Sequence, residues 1–254
     1  RGERYRLWGL FRSDLHLWGV DGDTRLNLLG TDQKARDVFS RVIWGTRISL
    51  SIGLVGVMLT FVLAIILGTI SGYYSGLVDI LIQRVIEVLA SVPTLPLWMV
   101  LSVAIPLSWS LNEVFFAITV ILALLSWPGL ARTVRGKVLA LRETDYAVAA
   151  QLDNGSTRRV MFVHVIPGVM SHLIASLTLA IPGMILGETS LSFLGLGLHE
   201  PVVSWGVMLQ DSQQLRTILF APWLLWPVVA VVIFILAFNF VGDGLRDAAD
   251  PYKS

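Results

Sequence analysis

The strongest constraint on this chain is where its charges are missing. No Asp, Glu, Lys or Arg occurs between Arg47 and Asp79, Glu87 and Glu113, Glu113 and Arg132, Arg159 and Glu188, or Arg216 and Asp243. A helix crosses the hydrocarbon core of a bilayer with about 20 apolar residues, and each gap is long enough. Backbone amides left unpaired in lipid are prohibitively costly, so spanning segments are helices or closed barrels. The strand alternation of an outer-membrane barrel is absent. The gaps therefore predict an all-α polytopic membrane protein with five spans, at about 48–70, 86–108, 112–131, 165–186 and 222–241. The 254 residues are 55% hydrophobic and only 15% charged, with mean hydropathy +0.72. Soluble domains carry about 25% charged residues. A disordered chain, a basic nucleic-acid-binding domain and most soluble enzymes are thereby excluded. Cysteine is absent, which removes disulfides, thiolate metal sites and a catalytic thiol.

Trp44, Trp109, Trp127, Trp223 and Trp226 fall near the ends of these spans, where amphipathic rings favour the membrane interface; Trp98 is expected between helices. Pro93, Pro96, Pro106, Pro182 and Pro227 lie inside or beside spans, which suggests a kinked bundle. Before the first span, Arg1, Glu3, Arg4 and Arg6 break any signal-peptide core. Residues 32–47 place Val38, Phe39, Val42 and Ile43 at helical spacing opposite Lys34, Arg36, Asp37 and Arg41. This predicts an amphipathic helix on the membrane surface, N-capped by Asp32. The chain therefore divides into an N-terminal segment, 1–47, and a transmembrane domain, 48–254.

The loop over 132–166 is the most informative. Asp145-Tyr146-Ala147-Val148-Ala149-Ala150-Gln151-Leu152 reads as a short helix. Asp153-Asn154-Gly155-Ser156 should stop it, because Asn and Gly tolerate positive φ. A second amphipathic stretch leads to Pro167. So small a helix–turn–helix cannot bury itself, and Ala149 and Ala150 would admit another surface. A solvated connector fits equally well. The loop over 187–220, with Leu191 to Gly197 and Trp205 to Leu209, is apolar for a loop and reads as re-entrant or interfacial. Lys and Arg are split almost evenly between the two sides of the bundle, so charge does not fix orientation.

Several chemistries lack their residues. No P-loop, H-E-x-x-H or G-x-S-x-G motif occurs. His16, His164, His172 and His199 show no metal-ligand spacing. Gly195 and Gly197 do not complete a dinucleotide fingerprint. Arg84 and Glu87, at i, i+3 near the start of the second span, are a possible intramembrane pair. Asn239 is a candidate for interhelical hydrogen bonding.

Several blocks in order then resemble a known family. These are Leu29-Gly30-Thr31-Asp32-Gln33 with Arg36-Asp37-Val38 and Ser40-Arg41; Gly72 to Gly76 with Asp79; Ser126 to Gly129 with Ala131-Arg132; Leu191 to Gly197; Ser204-Trp205-Gly206 with Met208-Leu209; Ala221-Pro222-Trp223; and Phe238-Asn239 with Gly242 to Asp247. Together they resemble the second permease subunit of ABC importers of the dipeptide/oligopeptide/nickel class. That family's coupling motif maps onto Asp145, Tyr146, Ala149, Ala150, Asn154, Gly155, Ser156, Arg159, Phe162, His164 and Pro167. Val148 stands where the family has Glu, Asn154 where it has Gly, and Lys34-Ala35 where Leu-Gly is common. The resemblance implies a kinked six-span permease whose first span precedes Arg1, sited in the bacterial inner membrane. The coupling loop, 145–167, would face the cytoplasm and the 187–220 loop the exterior. The implied partners are a homologous permease, two ATP-binding subunits holding ATP and Mg, and a substrate-binding protein, with no nucleic acid. The chain itself would be non-catalytic and without a cofactor. Peptides are the expected cargo; nickel, opines and oligosaccharides are alternatives, and an ATP-independent channel or secondary transporter is the rival class.

Overall fold

The computed structural model describes residues 5–7, 11–13, 27–106, 108–153 and 156–248. A short antiparallel hairpin, β1 (Tyr5–Leu7) and β2 (Phe11–Ser13), precedes the bundle. The helices follow as α1 (Val38–Tyr74), α2 (Gly76–Ser91), α3 (Thr94–Val103), α4 (Leu111–Leu141), α5 (Asp145–Leu152), the single turn α6 (Thr157–Arg159), a wide π-type turn over Val160–Val165, α7 (Ile166–Phe193), α8 (Trp205–Gln210), α9 (Leu215–Phe220) and α10 (Trp226–Ala248). Among the described residues four helices are long and apolar enough to span a membrane, or five if α2 and α3 count as one bent span.

The N-terminal reading needs correction. Residues 32–47 are not a separate surface helix, and the boundary at 47 falls inside α1. Ala35 sits at φ 57, which no right-handed helix accommodates, so α1 begins only at Val38. Its N-cap is Asp37, whose carboxylate accepts from the Ser40 amide at 2.8 Å. From there α1 runs unbroken into the first span.

The second span also differs. The segment 86–108 is two helices, α2 starting well before it and α3 ending inside it, bent by 87°. Pro93 cannot donate into a helix and drives Val92 into an extended conformation, φ −103 and ψ 134. Arg84 and Glu87 consequently sit within α2 rather than at a span start. Their 2.6 Å ion pair is largely exposed. The next helix outruns its gap. Ser110 and Glu113 form a reciprocal capping box at the start of α4, and α4 continues to Leu141, so Arg132, Arg135 and Lys137 are helical rather than loop residues. Likewise α7 extends to Phe193, and Gly242 to Asp247 lie within α10 instead of ending it.

The main core joins Ile52, Ile118, Leu122, Ile185, Leu191, Leu198 and Trp205 from α1, α4, α7, the following loop and α8. The apolar 187–220 loop is thus folded into protein through buried α8. Trp98 packs its ring against Gly187 and is half-buried. Trp127 is a correction: it is buried beside Ala64, Ile86 and Ala131 rather than placed at a helix end. Asn239 is exposed on α10. His16, Asn154, Gly155 and the side chain of His172 lie outside what is described.

Candidate coupling surface

The segment from Asp145 to Pro167 is seated at the C-terminal end of α1 by a few apolar side chains. Ala147 is fully buried and, with Val160 and Val165, packs on Val134 and Val138 of α4 and Val169 and Leu173 of α7. Ala150 joins this cluster from the edge, whereas Ala149 points outward. The inward side is therefore built from small residues, which let α5 lie close on the wide turn over Val160–Val165. Thr144 stands at the N-cap position of α5 with its hydroxyl donating back to the Leu141 carbonyl at 2.6 Å, and the Ser156 hydroxyl accepts from the Arg159 amide at 3.4 Å to start α6.

The outward side carries large apolar side chains among polar ones. Leu152 is 83% exposed and Phe162 62%, with Tyr146, Val148 and Val163 beside them in sequence and also exposed. Asp145, Ser156, Arg159 and Pro167 are exposed as well, and His164 is half-buried. Val148, in place of the Glu expected at that position, extends the apolar surface.

Two arginines near the end of α4 were not recognised from sequence. Arg142 donates through Nη1 to the Gly72 and Tyr73 carbonyls, both at 3.1 Å, and to the Ser75 hydroxyl. The last carbonyls of a helix have no intrahelical donor, and a cation there also meets the negative end of the helix dipole. Arg135 grips Asp79 with two bonds of 2.6 Å. Both partners lie far away in sequence, so neither contact has a local signature.

At the other end of α1 the charges close on one another. Asp32 accepts from the Lys34 and Arg36 amides, from Arg36 Nε at 2.7 Å and from Arg41 Nη1 at 2.6 Å. Glu200 pairs with Lys34 and Arg36. Burial pushes the Asp32 carboxyl up, but hydrogen bonds from Arg36 and Lys34 outweigh it and leave the carboxyl below its ordinary range. Glu200 is held down to about 2, first by the Lys34 hydrogen bond and then by Arg36. Gly30, at φ 74, lies against Trp223, whose indole N–H donates to the Thr31 carbonyl at 2.8 Å. The blocks around Gly30 and Trp223 are therefore two sides of one contact.

Below this knot lies Glu188, fully buried on α7. It accepts from the hydroxyls of Ser192 at 2.8 Å, Ser204 at 2.9 Å and Ser49 at 3.5 Å. Those serines in turn accept from the amides of Leu198, Val207 and Trp205. One carboxylate thus ties α1, α7, α8 and the intervening loop together.

A family described as "Binding-protein-dependent transport system inner membrane component" matches residues 64–253. The chain belongs to this family. It is 38% identical over 223 residues to the oligopeptide transport system permease protein OppC of Bacillus subtilis (strain 168), covering 87% of this chain and 70% of that protein. It is 39% identical over 224 residues to the dipeptide transport system permease protein DppC of the same organism, covering 87% and 68%. A solved structure titled as inward-facing conformations of the MetNI methionine ABC transporter superposes with TM-score 0.62 at 16% identity, covering 84% of this chain and 97% of that one. At that identity it speaks for the fold alone. As a member of the family this chain is a multi-pass inner-membrane permease subunit of an ABC importer.

Proposed function

We propose that this permease forms half of the path by which short peptides, delivered by a substrate-binding protein, enter the cell. It pairs with a homologous permease, and each of two ATPases grips one coupling segment. In this reading α5 faces the cytoplasm and the 187–220 loop faces the exterior. ATP-driven closure of the ATPases displaces α5, and the helices rock as bodies between inward- and outward-open states. ATP can drive this only through different affinities for the two states. The chain itself performs no catalysis; ATP and Mg belong to its partners.

The observation that carries the reading is the large apolar side chains exposed on α5 and the following turns, Leu152 and Phe162 above all, over a base that is packed from within. An apolar surface of this kind, on a segment otherwise well packed, marks a contact with another protein. Peptide as cargo rests on the named relatives. The test is uptake of a labelled tripeptide by cells lacking their own peptide importers and supplied with this chain and its partner subunits. ATP-dependent accumulation that disappears without this chain is expected. Accumulation of nickel or an oligosaccharide instead would reassign the cargo, and uptake without ATPases would return the channel reading.

A further inference from the structure

We infer that Arg142 and the Arg135–Asp79 pair are positioning residues that carry the displacement of α5 to α1 and α2, and through them to a cavity in the middle of the bundle. The inference rests on the coupling reading above. Only Glu143 and the cap Thr144 separate Arg142 from the start of α5. Arg142 holds the last carbonyls of α1, so the root of α5 and the end of α1 are fastened at one point. The fastening extends up the helix pair. A Cβ on Gly68 would lie 2.6 Å from the Ala131 carbonyl oxygen, and one on Gly72 would lie 2.8 Å from that of Arg135. The backbones of α1 and α4 are therefore in direct contact and have no room to slide independently.

The Arg135–Asp79 pair adds α2 to this body. Both carboxylate oxygens are engaged, a planar geometry that resists rotation as well as separation. Ser71 of α1 donates to the same carboxylate and accepts from Gln83 of α2 at 3.2 Å. Across the break at Val92–Pro93, α3 takes a different support. Trp98 packs on Gly187 of α7 and Leu122 in the upper half of α4. So α2 is held to α1 and α4 by hydrogen-bonded charges, and α3 is held to α4 and α7 by apolar packing.

A cavity of about 560 Å³ opens at the break between α2 and α3. Its wall includes Leu89 and Ala90 of α2, Thr94 and Trp98 of α3, Ser126 of α4 and Gly183 of α7. Irregular backbone at membrane depth is tolerated where it is buried in protein or lines a cavity. Movement of α2 against α3 reshapes this space, which connects ATPase motion to the substrate path.

The test uses the complete complex of both permeases, ATPases and binding protein in proteoliposomes, with a labelled tripeptide. Arg142→Gln and Asp79→Asn are each expected to keep ATPase co-purification and ATP hydrolysis while uptake per ATP falls about tenfold. Arg142→Lys should recover more than half of the loss, since an ammonium still reaches the α1 carbonyls. The exchange Asp79→Arg with Arg135→Asp should perform better than either change alone. A fall in uptake per ATP of less than threefold in both single variants overturns the inference. So does loss of assembly and hydrolysis together without rescue by the exchange, because that assigns these residues to folding only. A wild-type complex without ATP-driven tripeptide uptake would instead refute the function proposed above, and the inference with it.

Discussion

At the N-terminal end of α1, Asp32 and Glu200 answer Lys34, Arg36 and Arg41, and Glu188 answers three serines, while Asp37 Oδ1 and Arg41 Nε stay buried without a hydrogen bond to any described residue. At the C-terminal end, Arg135 and Arg142 also turn inward, yet the surface beyond them presents Tyr146, Val148, Leu152 and Phe162 to the outside. Both ends are anchored by hydrogen-bonded charges, and both expose large apolar side chains, Ile43 and Trp44 at the first and Leu152 and Phe162 at the second. What differs is the support: the first end is closed by the buried Glu188 network, whereas at the second the arginines hold only the root of the short α5, whose outer side chains stay open.

The sharpest way to break the contrast is to open the closed end. Glu188→Leu leaves three buried hydroxyls without their acceptor and should cost about 3 kcal/mol or more, read as a lower thermal midpoint in detergent. Glu188→Gln, which keeps the shape and one carbonyl oxygen, should cost clearly less. Ala35→Gly works in the opposite direction. Its φ of 57 strains any side chain, so glycine should stabilise by about 1 kcal/mol, measured by the same unfolding experiment.

Acid should loosen the same end. Glu200 has its pKa depressed from 4.5 to about 2 in the folded chain. Its contribution is fully present above 4.5 and is lost as pH falls towards 2, when the folded carboxylate takes up its proton. The thermal midpoint should therefore drop across that window, and Glu200→Gln should drop less. The smallest effect on stability belongs to the open end. Leu152→Ser, at a side chain 83% exposed, should change unfolding by less than about 0.5 kcal/mol. It should nevertheless weaken ATPase retention on a purified complex, and that pairing of a silent fold with a weakened partner sharpens the comparison.

The sequence revealed one class of feature better than the other. Charge-free gaps located the bundle because exclusion of charge from lipid acts on every residue of a span. Pro93 is one of five prolines that suggest a kinked bundle, but prolines are tolerated in membrane helices and nothing local says which one breaks the chain. The unusual Lys34-Ala35 was visible, and the left-handed φ of Ala35 explains why glycine is common at the matching position. The small residues of α5 were visible too, but their division into a buried Ala147 and an outward Ala149 depends on how α5 lies against the turn over Val160–Val165. The arginine contacts and the Glu188 network join residues from 49 to 204. Such pairings are set by the packing of helices and have no spacing to betray them.

The central claim is that the outward face of α5 meets an ATPase, and a single cysteine tests it most directly. The chain has no cysteine of its own, so Leu152→Cys gives one reactive site in this subunit. A short thiol-reactive cross-linker would be applied to membranes holding the complete complex, and the adduct identified by mass. The account predicts an adduct with the ATPase subunit whose yield changes between nucleotide-free and ATP-bound states. A cysteine labelled only from the cell exterior, with no ATPase adduct, would contradict it.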